Sequence, residues 1–123
     1  MKKLVKSKIV RPQNTKEKGI IEFLVYKEKD TFVGICLTFD IIEEGKDAIK
    51  LMSSITTSAN LHLDTVIKNK MSDELLNRYA PEKYWKKYFK VTSDIKFQSK
   101  KNINNYPVVS PYTNTSFRSL KLS

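Results

Sequence analysis

The sequence predicts an α+β fold: a small antiparallel β-sheet of about three strands in β-β-β-α order, covered by one long helix, followed by a short helical segment and an irregular tail. Three observations predict it. Apolar residues recur at every second position on both sides of a short polar link between Gly19 and Phe39, which is the pattern of a hairpin. A further apolar pair, Ile41-Ile42, is followed by Gly45. From Asp47 onward the period changes: Ala48, Met52, Ile55, Ala59, Leu63 and Val66 recur at steps of four and three, which draws one apolar stripe along a helix.

Taken in order, Ile21, Phe23 and Val25 alternate with Glu22, Leu24 and Tyr26 in the first strand. Lys27-Glu28-Lys29-Asp30 is the polar link. Without Asn-Gly or Asp-Gly there, a loop of three to five residues is expected in place of a two-residue turn. In the second strand Val33, Ile35, Leu37 and Phe39 alternate with Phe32, Gly34, Cys36 and Thr38. Both faces of both strands are apolar, so the sheet needs a cover on each side. The long helix supplies one. The C-terminal segment, a second copy of the chain or a different protein must supply the other.

Gly45 ends the third strand, and Asp47 is placed to cap the helix. The helix should end near Asn69. At about 20 residues it would be roughly 30 Å long. Ser72, Asp73 and Glu74 open a second helical segment, which Ala80-Pro81 breaks. Glu82 to Lys90 then reads as a short aromatic-basic helix. Ile95 and Phe97 alternate with Lys96 and Gln98, as in a strand. Residues 102–107 and 110–116 read as turn-rich loop. Phe117, Leu120 and Leu122 are candidates to tuck back onto the core. The expected organisation is a basic arm over residues 1–19, a folded unit over 20–90, and a polar, basic tail over 91–123.

The net charge of +10 is unevenly spread. Residues 1–19 hold seven Lys or Arg and one acid, residues 20–67 four Lys and eight acids, and residues 68–123 twelve Lys or Arg and four acids. An acidic centre with basic flanks fits nucleic acid or an acidic surface at the flanks. Solvated lysines on a small protein are the plain alternative. No apolar run approaches the length of a membrane span, and no secretory segment follows Met1, so the cytoplasm is the expected compartment.

Little in the chain points to bond-making chemistry. Cys36 is a lone cysteine in a strand without flanking cations and reads as a buried small hydrophobe. His62 is the only histidine and lies beside the helix stripe, where packing is the better account. No glycine-rich phosphate loop is present. Glu22, Asp30, Asp40, Glu43, Glu44 and Asp47 crowd the sheet region, but only Glu22 lies within a long strand. A metal-dependent nuclease is therefore a remote reading, and neither metal nor cofactor is called for.

Two surfaces are candidates for binding. Phe32, Gly34, Leu24 and Tyr26 mark a sheet face and strand edge for a protein partner. Lys83, Trp85, Lys86, Lys87 and Lys90, with Lys100 and Lys101 beyond, mark a nucleic-acid surface in which lysines meet phosphates and aromatic rings stack on bases. The competing account of Tyr84, Trp85 and Tyr88 is a helix side docked on the sheet.

The run from Phe23 to Leu37, with Asp30 in its turn and Val33 and Cys36 in its second strand, followed by Gly45 and a helix with Ala48 near its start, resembles the HicB-like antitoxin domain. The resemblance covers about residues 20–67. It implies a partial ribonuclease-H-like β-β-β-α unit lacking the catalytic acids. It also implies a protein that binds and blocks a small RNA-cleaving toxin of the HicA kind. Many such proteins carry a C-terminal DNA-binding motif, but residues 91–123 offer neither a ribbon-helix-helix nor an obvious recognition helix. The expectation is a non-catalytic binding domain, possible as a homodimer through an open strand edge or sheet face, with a nucleic-acid-binding module as the alternative.

Overall fold

A computed structural model describes residues 13–98 and 104–114, and side chains only as far as Ser93 within the last helix. The expected Lys100 and Lys101 contacts, the basic run before Gln13, and Phe117, Leu120 and Leu122 lie outside the described residues. Among these residues four strands form a single antiparallel sheet: β1 (Lys18–Glu28), β2 (Thr31–Cys36), β3 (Ile41–Gly45) and β4 (Asn105–Thr113), in the order β3-β2-β1-β4. The helices are α1 (Ala48–Lys68) and α2 (Glu82–Gln98), with a 3₁₀ turn at Asp73–Leu76 between them. The fold class is α+β as expected, with a fourth strand added.

The hairpin registers Glu28 against Thr31, so its loop is the two residues Lys29-Asp30 and not the longer one expected. Lys29 makes this short turn by taking a φ of 59°, a left-handed conformation that a non-glycine residue adopts at modest cost. Asp47 caps α1: its Oδ1 accepts the Lys50 N–H at 3.1 Å. Ser72 Oγ accepts the Glu74 N–H at 3.1 Å and opens the 3₁₀ turn.

Each face of the sheet has its own core. On one face Ile21, Phe23 and Cys36 pack with Phe39 and with Ile55, Ala59, Leu63 and Val66 of α1. Leu51 is also buried, while Ala48 and Met52 sit at the border of the stripe. On the other face Leu24, Tyr26, Val33, Ile35 and Leu37 pack with Ala80, Trp85, Tyr88 and Val91. Of the three covers considered for this second face, the chain's own C-terminal segment is the one found. Its helix continues through Ile95 and Phe97, the residues read above as a strand. Apolar residues at 84, 85, 88 and 91 keep the helical period going, and this outweighs a short local alternation.

The strand in the C-terminal segment is β4, within residues read as loop. Lys27 N–H donates to Asn104 O at 3.0 Å. Alternation along the ladder then turns the backbone groups of Tyr106, Val108, Ser110 and Tyr112 toward β1. Pro107 and Pro111 fall on the outer edge, where no N–H is needed for the ladder. At the other edge, Leu37 N–H donates to Glu22 O at 2.8 Å, which leaves only Ile42 and Glu44 of β3 facing outward. One edge is blocked by proline and the other is short, and both features discourage strand addition.

Candidate binding surfaces

Leu24 and Tyr26, expected on a partner-binding face, lie under α2; they are 0% and 8% exposed. Gly34 is also buried. A Cβ at this position would come within 3.0 Å of Leu51 Cγ, so the glycine is the gap through which α1 closes onto β2. Of the four, only Phe32 is partly exposed. Its ring lies 6.5 Å from that of Tyr106 on β4, and Lys27 Nζ lies 5.6 Å from the Phe32 ring centre.

The aromatic-basic cluster divides into two. Trp85 is 2% exposed and meets Tyr79 and Tyr88 edge-on, with ring centres 5.9 Å apart in each case. Trp85 is therefore part of the core, where no base can reach it, and the packing account describes it. Lys83, Lys86, Lys87 and Lys90 are all exposed. At 3.6 residues per turn they fall within about 100° of the helix circumference, forming one lysine face. Two are braced on rings: Lys83 Nζ lies 5.0 Å from the centre of Tyr84, and Lys87 Nζ 4.5 Å from the centre of Tyr26. Burial raises the Tyr26 hydroxyl above its ordinary range, with Glu28 adding to the effect.

A different surface was missed in the sequence. α1 lies over β3, β2 and β1, so the same face of β4 stays open. Tyr106 and Val108 are 39% and 37% exposed there. With Ala48, Ile49, Met52 and Ser53 of α1 they line an apolar groove of about 360 Å³. Ile49 at its rim is 81% exposed. Residues 104–114 contain no charged residue, and residues 48–63 contain only Lys50. The available signal was Tyr106, Val108 and Tyr112 at period two, an edge-strand pattern because of its prolines.

Across the first turn of α1 from this groove lies a recess lined by Glu43, Glu44, Gly45, Lys46, Asp47, Lys50, Leu51 and Ser54. Glu43 is held in place there. Its two carboxylate oxygens accept the hydroxyls of Ser54 and Ser58 at 2.6 and 2.7 Å.

The other residues weighed for chemistry are packed into or against the cores. His62 Nε2 lies 2.7 Å from Leu75 O, and its ring centre is 4.8 Å from that of Phe39. Cys36 is fully buried, and desolvation pushes its thiol up to about 12, far from a reactive thiolate. Glu22 is 6% exposed, and its N–H donates to Thr38 Oγ1 at 2.9 Å. Among the described residues no group of three or more His, Cys, Asp or Glu is arranged to hold a metal ion. No described helix is long and apolar enough to cross a membrane. Comparison of the chain with models of known protein families, with curated proteins and with solved structures finds no match.

Proposed function

We propose that the chain is a non-catalytic, HicB-like protein-binding domain, an antitoxin that masks a small RNA-cleaving toxin in the cytoplasm. The observation that carries this reading is where the residues of the resemblance fall. Asp30 lies in the β1–β2 turn, Val33 and Cys36 in β2, Gly45 at the end of β3 and Ala48 at the start of α1. This is the β-β-β-α order that the resemblance implies. The open surface beside α1 gives such a domain a place to meet a protein. The acids of residues 40–47 suit a basic toxin.

The test is affinity purification of the full chain from its native host, with nuclease treatment as a control. The reading expects a small basic protein that stays bound after nuclease, and RNA cleavage by that protein that stops when the chain is added back. Recovery of nucleic acid alone would overturn it.

A second reading is favoured by the lysine face of α2. Four exposed lysines on one side of a helix can neutralise phosphates without reading sequence, since phosphate contacts carry no base information and Trp85 and Tyr88 are turned into the core. Affinity for an oligonucleotide would then fall steeply with salt, and changing Lys86, Lys87 and Lys90 to Glu would abolish it.

A further inference from the structure

We infer that the groove between α1 and β4 seats a protein partner that presents a large aliphatic or aromatic side chain with lysine or arginine close beside it. The inference rests on the protein-binding reading and names the surface and the chemistry it selects. In a chain with 29% charged residues, the groove and both its walls are almost free of charge. Charge depletion around exposed aromatic and aliphatic groups is the composition of an interface centre, not of a solvated face. Ile49 at 81% exposure and the half-open pair Tyr106 and Val108 keep apolar surface in water that a partner's side chain would remove.

Charge sets the rest of the partner's chemistry. Glu43, Glu44 and Asp47 stand against Lys46 and Lys50 in the recess on the other side of the first turn of α1, and the Glu43 carboxylate is already oriented by two serines. A helix is about 10–12 Å across, so one partner element straddling that turn can place an apolar anchor in the groove and a cation at the recess. Strand addition is a poor alternative beside the groove, since Pro107 and Pro111 occupy the outer edge of β4.

The test uses the full, isotope-labelled chain and three synthetic amphipathic peptides of equal length: leucine with lysine, leucine with glutamate, and serine with lysine. The leucine-lysine peptide is expected to shift the amide resonances of Ile49, Met52, Ser53, Tyr106 and Val108, and to bind at least about tenfold more tightly than either of the others, a factor worth ~1.4 kcal/mol. Ile49→Glu, at a site too exposed to disturb folding, should weaken it by a similar factor, and Val108→Thr by less. Lys86→Glu should leave it unchanged. Equal binding of the leucine-glutamate peptide, shifts gathered on α2, or self-association of the chain that Ile49→Glu dissolves would each overturn the inference. The same Ile49→Glu chain separates this claim from the one beneath it. If it still captures the native protein partner as well as the parent chain does, the groove is wrong and the protein-binding reading stands. If neither chain captures a protein, that reading fails, and the peptide titration still decides the groove.

Discussion

α1 and α2 cover opposite faces of one sheet, and each buries an apolar stripe against it. Their solvent sides differ. α2 presents Lys83, Lys86, Lys87 and Lys90 to water, with Phe89, 36% exposed, beside them. α1 presents Ile49, Ser53, Thr57, Asn60 and Leu61, with Lys50 the one charged residue exposed between Ile49 and Leu61. A lysine face is self-sufficient in water, because long charged side chains hydrate well. An uncharged face with Ile49 and Leu61 standing out leaves apolar surface hydrated, which is where contact with a partner lowers the free energy. The contrast teaches that burial alone does not separate a structural helix from a contacting one. The outward residues do.

The largest expected effects lie in the cores and should be similar on the two helices. Trp85→Ala is expected to cost about 3–5 kcal/mol, and Ile55→Ala about 2–5 kcal/mol, measured by denaturant unfolding. If Trp85→Ala cost less than Lys86→Ala, which as a surface change should stay within about 0.5 kcal/mol, the division of α2 into an inner and an outer face would be wrong.

A smaller effect is expected where the chain enters the sheet. Asn14 is 3% exposed. Its side chain donates to Ile20 O and Leu76 O at 3.1 and 3.0 Å and accepts the Ile20 N–H at 2.9 Å. Asn77 exchanges two further bonds with the Asn14 backbone. Asn14→Ala would leave buried backbone groups without partners, at about 1–3 kcal/mol. Hydrogen exchange of the Ile20 amide would report the loss locally. Gly19 belongs to the same junction: a Cβ there would strike the Asn14 amide and the Tyr112 hydroxyl, so Gly19→Ala should destabilise through the same contacts.

This junction shows where the sequence stopped being informative. The hairpin, β3, the Asp47 cap and the course of α1 were legible because their periodicities are local. Asn14 reads as one loop residue among several. Its side chain donates to Leu76 O, 62 positions away, and no local pattern encodes that pairing. β4 was hidden for a related reason. Its two prolines look like breakers until the edge position is known, and its partner is β1, far back in the chain. Burial of Leu24, Tyr26 and Trp85 depended on α2 returning to the sheet. Reading Leu24 and Tyr26 as open surface was a consequence of not placing that helix, whereas the docked-helix account already put Trp85 in the core. The groove then follows from an offset of α1 toward β3, which only the packed structure reveals.

Alkaline pH sharpens the comparison of interior with surface. Burial pushes the Cys36 thiol from 9.0, and the Tyr112 hydroxyl from 10.0, up to about 12 in the folded chain. Both groups are neutral when protonated. Their stabilising contributions are complete below pH 9 and decline as pH rises through the window from 9 to about 12, because the unfolded chain ionises first. Unfolding midpoints should therefore fall across that window. Tyr112→Phe should flatten the part of the fall above pH 10, at the expense of the bond that Tyr112 Oη donates to Thr15 O at 2.8 Å.

The smallest expected change is at the recess. Glu43→Gln keeps the side-chain shape, with one oxygen to accept from one serine and an NH2 to donate to the other hydroxyl once it rotates, so stability should move by no more than about 0.5 kcal/mol. Binding of a basic partner should weaken more than folding does, in a salt-dependent way. Equal loss of folding and binding would assign Glu43 to the fold alone.

The most direct measurement of the central claim is RNA cleavage by any small basic protein that co-purifies with the chain, followed as the chain is titrated back. The account predicts that cleavage falls to background at one chain per bound protein and that magnesium does not restore it. Undiminished cleavage at saturating chain, or cleavage of RNA by the chain itself, would contradict it.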